Sequence, residues 1–270
     1  MTEFSFSITR GSLPWTALLS LWARYEEQSI YKDKILHAFV NELNYDFTEI
    51  KNHIDLMKQL TIVICHNNFE LLINNFIKRF PNATIVDLGA GFNTLFYKTD
   101  NNTLKWYDID LPEVINIKKK LLPPNPRYKF IAKSVLDYSW MGDITENRGG
   151  VFIIAGSLFK YLKESDIKDL FAKISKKFPG SELAFDCENK TLLEISRQSF
   201  QKEGLDPSLI KFSLENSNIL KSLIHNITIL EQYSIFSRTR REKFWPKEVR
   251  DRMDDIDHSR INSIYHIRLN

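Results

Sequence analysis

Hydrophobic residues recur at helical spacing through the first eighty residues of the chain. Leu18, Leu21, Trp22 and Tyr25 fall on one face of a helix. Three further stretches keep the same period, at residues 35–43, at about 50–65 and at about 68–80, where Pro81 ends the last one. The pattern predicts an N-terminal helical cap over residues 1–80.

Beyond Pro81 the pattern changes to short β-rich runs that alternate with amphipathic helices. Seven runs have the length and composition of strands: 83–88, 103–109, 128–132, 151–155, 182–185, 227–236 and 263–269. This alternation predicts an α/β fold with a seven-stranded, mostly parallel sheet, helices on both faces, and the last two strands as a candidate hairpin pair. A second unit would then cover 81–270, with a helical insertion before the sixth strand forming a lid at about 190–223.

Composition excludes several classes of protein. The 270 residues include 37 Lys+Arg and 34 Asp+Glu, a formal charge of +3, which does not favour a nucleic-acid binder. A hydrophobic content of 43% excludes a disordered chain. Cys65 and Cys187 lie far apart in no metal or disulfide pattern, so we expect buried free thiols in a reducing compartment.

No sequence feature indicates export, a membrane or a metal. Residues 1–5 lack the basic stretch and apolar run of a secretory signal, and no run approaches the ~20 apolar residues that span a bilayer. The six histidines show no metal-ligand spacing, and residues 254–257 lack the glycine and glutamate of a calcium loop. We therefore predict a cytoplasmic protein without metal, membrane or nucleic-acid partners and leave its oligomeric state open.

The most informative feature is a G-x-G turn directly after the first predicted strand. Gly89 and Gly91 would let the backbone turn tightly and approach a ligand. Asp110 follows about 20 residues later, at the end of the next strand, where a carboxylate can accept hydrogen bonds from ribose hydroxyls. Asp110 could instead only cap the helix that begins near Pro112. Together the turn and the carboxylate favour a cofactor that contains a nucleoside.

The residues around the turn favour S-adenosylmethionine over NAD. A dinucleotide site wants a third glycine, which would hold the pyrophosphate, where Thr94 stands. Asp87, just before the turn, would repel a pyrophosphate and suit an ammonium group. NAD remains the alternative cofactor at this point.

Four ordered motifs resemble the leucine carboxyl methyltransferase family, including its bacterial polyketide-type O-methyltransferases. The motifs are VDLGAGFNT at 86–94, KWYDIDLPEV at 105–114, SVLDYSW at 134–140 and IIAGSLFKYL at 153–162, the last followed by FPGSELAFD at 178–186. The resemblance implies a Rossmann-like class I methyltransferase fold and S-adenosylmethionine as cofactor.

The resemblance also implies a role for individual residues. Gly89 and Gly91 would line the methionine end of the cofactor and Asp110 would hold its ribose. Ser134 and Val135 would flank the adenine, with Asp137 nearby, and Gly156 would lie beneath the sulfonium. Asp137 could instead cap a turn. The sequence departs from the family at Asn93 and Ser134, where aspartate is usual, and at Gly156, where glutamate is frequent.

Other site residues are less well defined by the sequence. The family's N-terminal basic residue, which holds the cofactor carboxylate, has only Lys51 and His53 as candidates. His66 is a candidate base, and Tyr161 lies where the family has an aromatic residue near the transfer site. Four aromatic residues are expected in the core and are candidates to line an acceptor pocket: Trp15, Trp22, Tyr25 and Phe200.

These features predict an S-adenosylmethionine-dependent O-methyltransferase that acts on a carboxylate or hydroxyl of a small molecule. No catalytic residue can be assigned, because a carboxylate acceptor is already ionised at pH 7 and needs no base. Three alternatives stay open: a protein C-terminal carboxyl methyltransferase, a catalytically silent methyltransferase-like binding module, and an NAD-dependent oxidoreductase.

Overall fold

The computed structural model describes residues 8–147 and 149–270. The expectation about a signal at residues 1–5 lies outside them. None of the helices in these two ranges is long and apolar enough to cross a membrane.

A seven-stranded sheet forms the centre of the molecule, in the spatial order β3-β2-β1-β4-β5-β7-β6. Strands β1 to β5 run parallel, and β7 pairs antiparallel with both β5 and β6. The strands are β1 Thr84–Leu88, β2 Lys105–Asp110, β3 Tyr128–Ala132, β4 Val151–Ala155, β5 Glu182–Glu188, β6 Ile227–Ser234 and β7 Asn262–Leu269. The predicted α/β fold class is confirmed, and the last two strands do pair.

Eleven helices are present in the described residues. They are α1 Leu13–Glu26, α2 Lys34–Leu43, α3 Thr48–Asn52, α4 Leu56–Arg79, α5 Leu95–Thr99, α6 Pro112–Leu121, α7 Trp140–Asp143, α8 Glu164–Lys177, α9 Lys190–Lys202, α10 Ser217–Leu223 and α11 Lys247–Ser259. Short 3₁₀ turns lie at Phe159–Tyr161 and Pro207–Leu209. The predicted insertion before β6 is therefore built by α9, α10 and the turn between them.

The helices of the N-terminal region differ from the pattern predicted for them. The two stretches expected at about 50–65 and 68–80 form one continuous helix, α4, preceded by the short α3. Asp55 caps α4, since its carboxylate accepts a hydrogen bond of 2.7 Å from the Lys58 amide. The helix continues through the polar pair Asn67 and Asn68 because the Asn68 amide bonds inward to two backbone carbonyls, of Ile64 at 3.0 Å and Ile235 at 2.9 Å.

The sheet is covered on both faces, as the burial of every residue of β1 and β4 indicates. Alternate residues of a strand enter opposite layers of core. Ile85 packs in the layer that contains the helices before Pro81, whereas Val86 packs in the layer that contains α8. Because the chain passes from β1 to β2 on one side and returns to β4 on the other, the sheet has its switch point at the ends of β1 and β4.

Candidate active site

The turn after β1 is closely packed from two sides. Gly89 and Gly91 have φ angles of +65° and +48°, a region that favours glycine. A Cβ on Gly89 would lie 2.9 Å from the Leu158 side chain, and a Cβ on Gly91 would lie 3.3 Å from Ala17 of α1. The turn is therefore enclosed by the loop after β4 and by the first helix.

Asp110 ties this turn to the end of β2. One carboxylate oxygen accepts a hydrogen bond of 2.6 Å from the Gly91 amide, and the other accepts one of 2.6 Å from the Leu111 amide. Asp110 thus supports the turn and the start of α6 together. A carboxylate has about four acceptor positions, so two remain for ribose hydroxyls. Burial raises the pKa of Asp110, which the two backbone donors oppose.

Asp87 lies deeper than the turn, inside the sheet. Its carboxylate accepts a hydrogen bond of 2.6 Å from the Asn93 side-chain amide, while the Asn93 oxygen accepts one of 2.9 Å from the Leu95 amide at the start of α5. Burial, and then the charge of Asp108 on the neighbouring strand, raise the pKa of Asp87 well above its usual value. The departure from the family at Asn93 therefore supplies a donor to a buried carboxyl group. A role for Asp87 toward the cofactor's ammonium stays a prediction.

Replacing Asn93 by aspartate should destabilise the fold in a pH-dependent way. The variant N93D places two carboxyl groups in contact, so the pair holds a proton in the folded chain well above the usual pKa of aspartate. The unfolded chain then binds fewer protons than the folded one between about pH 4 and the raised pKa, and stability falls as pH rises through that window. We expect a loss of about 1–3 kcal/mol at pH 8 and a smaller loss near pH 4.5, measured by urea unfolding.

The control is N93A, which removes both hydrogen bonds and adds no charge. Its loss of stability should change less between the two pH values than the loss in N93D, since N93A removes a donor from Asp87 but adds no second carboxyl group. A pH-independent loss in N93D would contradict the contact with Asp87.

The loop after β3 carries the three residues predicted on the adenine side. The Ser134 hydroxyl accepts a hydrogen bond of 3.2 Å from the Leu136 amide, and the buried Val135 accepts one of 3.0 Å from the Trp140 indole at its carbonyl. Asp137 is exposed and accepts a hydrogen bond of 3.1 Å from the Ser139 amide. The Ser139 side chain, and then this amide, lower the pKa of Asp137. Asp137 therefore caps a turn, and the positions of Ser134, Val135 and Asp137 on the adenine side of the cofactor stay predictions.

Gly156 and Ser157 form the sharp turn after β4. A Cβ on Gly156 would lie 3.0 Å from the Phe69 ring of α4, which leaves little room for a larger residue. Ser157 has a φ angle of +54° and donates to Asp186 twice, through its amide at 2.5 Å and its hydroxyl at 3.2 Å. Asp186 lies near the end of β5 and was not predicted as a site residue. Its position on the strand next to β4 is the signal that could have indicated it.

Arg24 of α1 is the cationic residue that contacts the turn. It is 1% exposed, and its guanidinium donates to the backbone carbonyls of Ser20 at 3.0 Å and Phe92 at 3.1 Å. Its Nη1 is buried and has no hydrogen-bond partner among the described residues. Lys51 and His53 were the two residues expected to hold the cofactor's carboxylate, and both make other contacts. Lys51 is exposed, and His53 pairs with Glu49 and Glu203.

A signal for Arg24 is present in the sequence. It shares a helix with Leu18 and Leu21, so a charged residue stands within an apolar pattern. A buried charge in such a pattern needs a partner, and one guanidinium nitrogen of Arg24 finds none within residues 8–147 and 149–270.

The sequence predicted His66 between two helices, but it lies in the middle of α4. Its Nδ1 donates to the Ile62 carbonyl at 2.9 Å. Burial, and then the charge of Arg24, lower the pKa of His66 well below 6.5, so its ring is neutral at pH 7.

Among the aromatic candidates, Trp15 and Phe200 are buried in the core, and Trp22, Tyr25 and Tyr161 pack against it. A part for these residues in the acceptor pocket stays a prediction.

Comparison with known proteins places this chain in a family. The leucine carboxyl methyltransferase family model matches residues 15–175. The chain is 23% identical over 225 residues to the tetracenomycin polyketide synthesis O-methyltransferase TcmP of Streptomyces glaucescens, with 82% of each chain covered.

Solved structures show the same fold. A protein from Thermobifida fusca described as a methyltransferase has a TM-score of 0.62 at 13% identity, with 93% of both chains covered. A DUF574 family protein from Streptomyces avermitilis has a TM-score of 0.61 at 11% identity, with 94% of this chain and 97% of that chain covered. The resemblance expected from the four motifs is confirmed: the chain belongs to the leucine carboxyl methyltransferase family and is a methyltransferase of the kind that uses S-adenosylmethionine.

Proposed function

We propose that this protein transfers a methyl group from S-adenosylmethionine to an oxygen of a small molecule, and that Arg24 holds the cofactor's carboxylate while Asp110 holds its ribose. The observation that carries the proposal is the buried, unpartnered Nη1 of Arg24 next to the turn that Asp110 supports from the other side. Donors such as a guanidinium pair strongly with a carboxylate, which the methionine part of the cofactor carries.

The residues around the turn fit the cofactor in three respects. The tight glycine turn allows close approach of a ligand to the backbone. Asp110 keeps acceptor positions for the two ribose hydroxyls, since backbone donors occupy only part of its carboxylate. Ser134 and Val135, after β3, would flank the adenine, and Gly156 would lie beneath the sulfonium.

The chain's own part in the reaction is positioning. When bound, S-adenosylmethionine supplies a methyl group that its sulfonium already activates. The ends of β4 and β5 would hold the acceptor oxygen about 3–3.5 Å from that carbon and exclude water. Asp186 keeps Ser157 in its left-handed conformation and so fixes the turn that carries Gly156. No general base is required for a carboxylate acceptor.

A small-molecule acceptor is supported by TcmP, whose name assigns it to polyketide synthesis. A hydroxyl or carboxylate of a secondary metabolite is therefore the acceptor we favour over a protein C-terminus. We also place the protein in the cytoplasm, since Cys65 and Cys187 are both free and buried.

Calorimetric titration with S-adenosylhomocysteine and with NAD tests the proposal. We expect saturable binding of S-adenosylhomocysteine and none of NAD. Binding of NAD alone would favour an oxidoreductase, and binding of neither would favour a silent module.

Replacing Asp110 by alanine should weaken S-adenosylhomocysteine binding by about 1.5–3 kcal/mol, the scale of hydrogen bonds to a charged group. The same titration measures the loss, and the melting temperature shows whether the variant is folded. The control is D251A, since Asp251 is exposed on α11 and pairs with Lys247 at the surface. Unchanged affinity in a folded D110A would remove the ribose assignment.

A further inference from the structure

Lys160 has an unusual position for a charged side chain. It lies in the 3₁₀ turn Phe159–Tyr161, four residues beyond Gly156. Its backbone carbonyl accepts hydrogen bonds from the amides of Lys211 at 2.6 Å and Phe212 at 3.3 Å, which belong to the insertion before β6. The residue is therefore fixed between the end of β4 and the lid.

The ammonium of Lys160 has few partners. The side chain is only 23% exposed, and the nearest carboxylate oxygen, Oε1 of Glu188, lies 3.8 Å from Nζ, beyond hydrogen-bond distance. The other Glu188 oxygen accepts a hydrogen bond of 2.8 Å from the Ser196 hydroxyl. Nζ makes no hydrogen bond to any of the described residues. The donors of this partly buried ammonium are therefore left to water or to a ligand.

The surroundings keep this side chain charged. Burial opposes the charged form, but the neighbouring Tyr161, Glu188 and Asp186 outweigh it and raise the pKa of Lys160. The Tyr161 ring lies 5.5 Å from Nζ, measured to its centroid. The Lys160 ammonium therefore stays charged, although none of these neighbours lies within hydrogen-bond distance of Nζ.

The charge lies at the end of the sheet where methyl transfer would occur. Asp186 and Cys65, which interact electrostatically with Lys160, flank the turn of Gly156 and Ser157. Burial, and then the charge of Asp186, raise the pKa of the Cys65 thiol well above its usual value, so Cys65 adds no charge of its own. Lys160 is therefore the cation that a bound acceptor would meet on this side.

We propose that Lys160 binds the acceptor through a negatively charged oxygen, so that this enzyme selects anionic acceptors, a carboxylate or a phenolate. The inference rests on the proposed methyl transfer and names the acceptor class for it. The ammonium donates to the anionic oxygen and compensates its loss of water, and the aromatic Tyr161 lies beside them.

The chemistry balances without a further reactant. An oxygen lone pair of the anion forms the bond to the methyl carbon, the sulfur–methyl bond breaks, and its electron pair goes to sulfur. The cation becomes a neutral thioether, and the anion becomes a neutral ester or ether. Lys160 then faces a product without charge, which favours product release over product retention.

The test compares anionic ligands with their methylated forms. Calorimetry measures the binding of 1-naphthoate, 2-naphthoate and 4-hydroxybenzoate against their methyl esters, and of 2-naphthol against 2-methoxynaphthalene. Each titration is made with and without saturating S-adenosylhomocysteine. We expect at least one anion or phenol to bind tenfold or more tightly than its methylated form. The naphthol pair distinguishes a phenol site from a carboxylate site.

Two variants assign the preference to Lys160. K160M removes the charge and keeps the length, and it should reduce the preference to within twofold. K163M is the matched control, because Lys163 is exposed in the same segment, and it should retain the preference. K160Q, which keeps a donor, serves as the second variant if K160M melts at a lower temperature.

The outcomes separate this proposal from the proposed function. No preference for the anion in the wild type, or a preference that survives in K160M, overturns the role of Lys160. If the wild-type protein did not bind S-adenosylhomocysteine, the proposed cofactor site would be overturned instead. K160M should bind S-adenosylhomocysteine within threefold of the wild type, because Lys160 lies on the acceptor side.

Discussion

Replacing Arg24 by methionine is expected to weaken S-adenosylhomocysteine binding by about 2–5 kcal/mol, the cost of removing one partner of a buried, hydrogen-bonded charge pair. The guanidinium is almost completely buried and has one nitrogen without a partner, next to the turn of Gly91 and Phe92. A bound carboxylate would complete its hydrogen bonds. Without the guanidinium, the cofactor's carboxylate would enter the site without this counter-charge.

The experiment uses a second ligand to separate binding from folding. The nucleoside 5′-methylthioadenosine lacks the carboxylate, so R24M should bind it about as well as the wild type does. D110A should lose affinity for both ligands, because both contain the ribose. If R24M lost equal affinity for both ligands, Arg24 would only support the fold, through its bonds to the Ser20 and Phe92 carbonyls.

Replacing Lys118 by methionine is expected to destabilise the fold by about 3–5 kcal/mol. The side chains of Lys118 in α6 and Asp108 in β2 are 0% and 1% exposed and form an ion pair. The Trp106 indole donates to the same carboxylate at 2.7 Å, and the Tyr128 hydroxyl donates to it as well. Removal of the cation leaves a buried carboxylate with neutral donors only, which is costly inside a protein.

Urea unfolding measures this loss, with K119M as the control because Lys119 is exposed on the same helix. The double variant D108N/K118M should recover part of the lost stability, since it removes both charges. A loss below about 1 kcal/mol in K118M would show that Asp108 takes up a proton at little cost.

The sheet could be predicted closely because its strands follow local rules. β3 and β4 begin and end at the predicted residues 128–132 and 151–155. A short apolar run between two amphipathic helices is typical of a parallel strand that is buried on both faces. The family and the G-x-G turn were predictable for the same reason, since each depends on residues close together in the sequence.

Helix α4 was predicted as two helices and α11 was not predicted, and contacts in the folded chain bear on both. The break expected near residue 66 reflects the polar pair Asn67 and Asn68, yet Asn68 satisfies its amide inside the protein. Helix α11 is mostly polar, but Val249, Met253 and Ile256 recur at helical spacing, and Met253 and Ile256 are buried. It is fixed by Arg241 of the preceding loop, which bonds to Asp254 at 2.9 Å and Asp257 at 2.6 Å. The basic run at 238–243 lies in a loop, and one of its arginines anchors the helix.

Some residues of the candidate site could likewise be predicted from the sequence, and others could not. Asp110 and the glycines stand in one continuous stretch, so spacing indicated them. Arg24 lies 68 residues before Phe92, and Asp186 lies 29 residues after Ser157, so only the folded chain brings these pairs together. Sequence spacing therefore shows where a nucleoside would bind better than it shows what holds the cofactor's carboxylate or the acceptor.

The contact of Ala17 with the glycine turn has a consequence for the speed of exchange. The same helix carries Arg24, so one element both covers the turn and holds the cofactor's charge. We expect spent cofactor to leave when α1 shifts away from the turn, a kind of motion that takes microseconds to milliseconds. The residence time of the cofactor, rather than the transfer step, would then set the turnover rate.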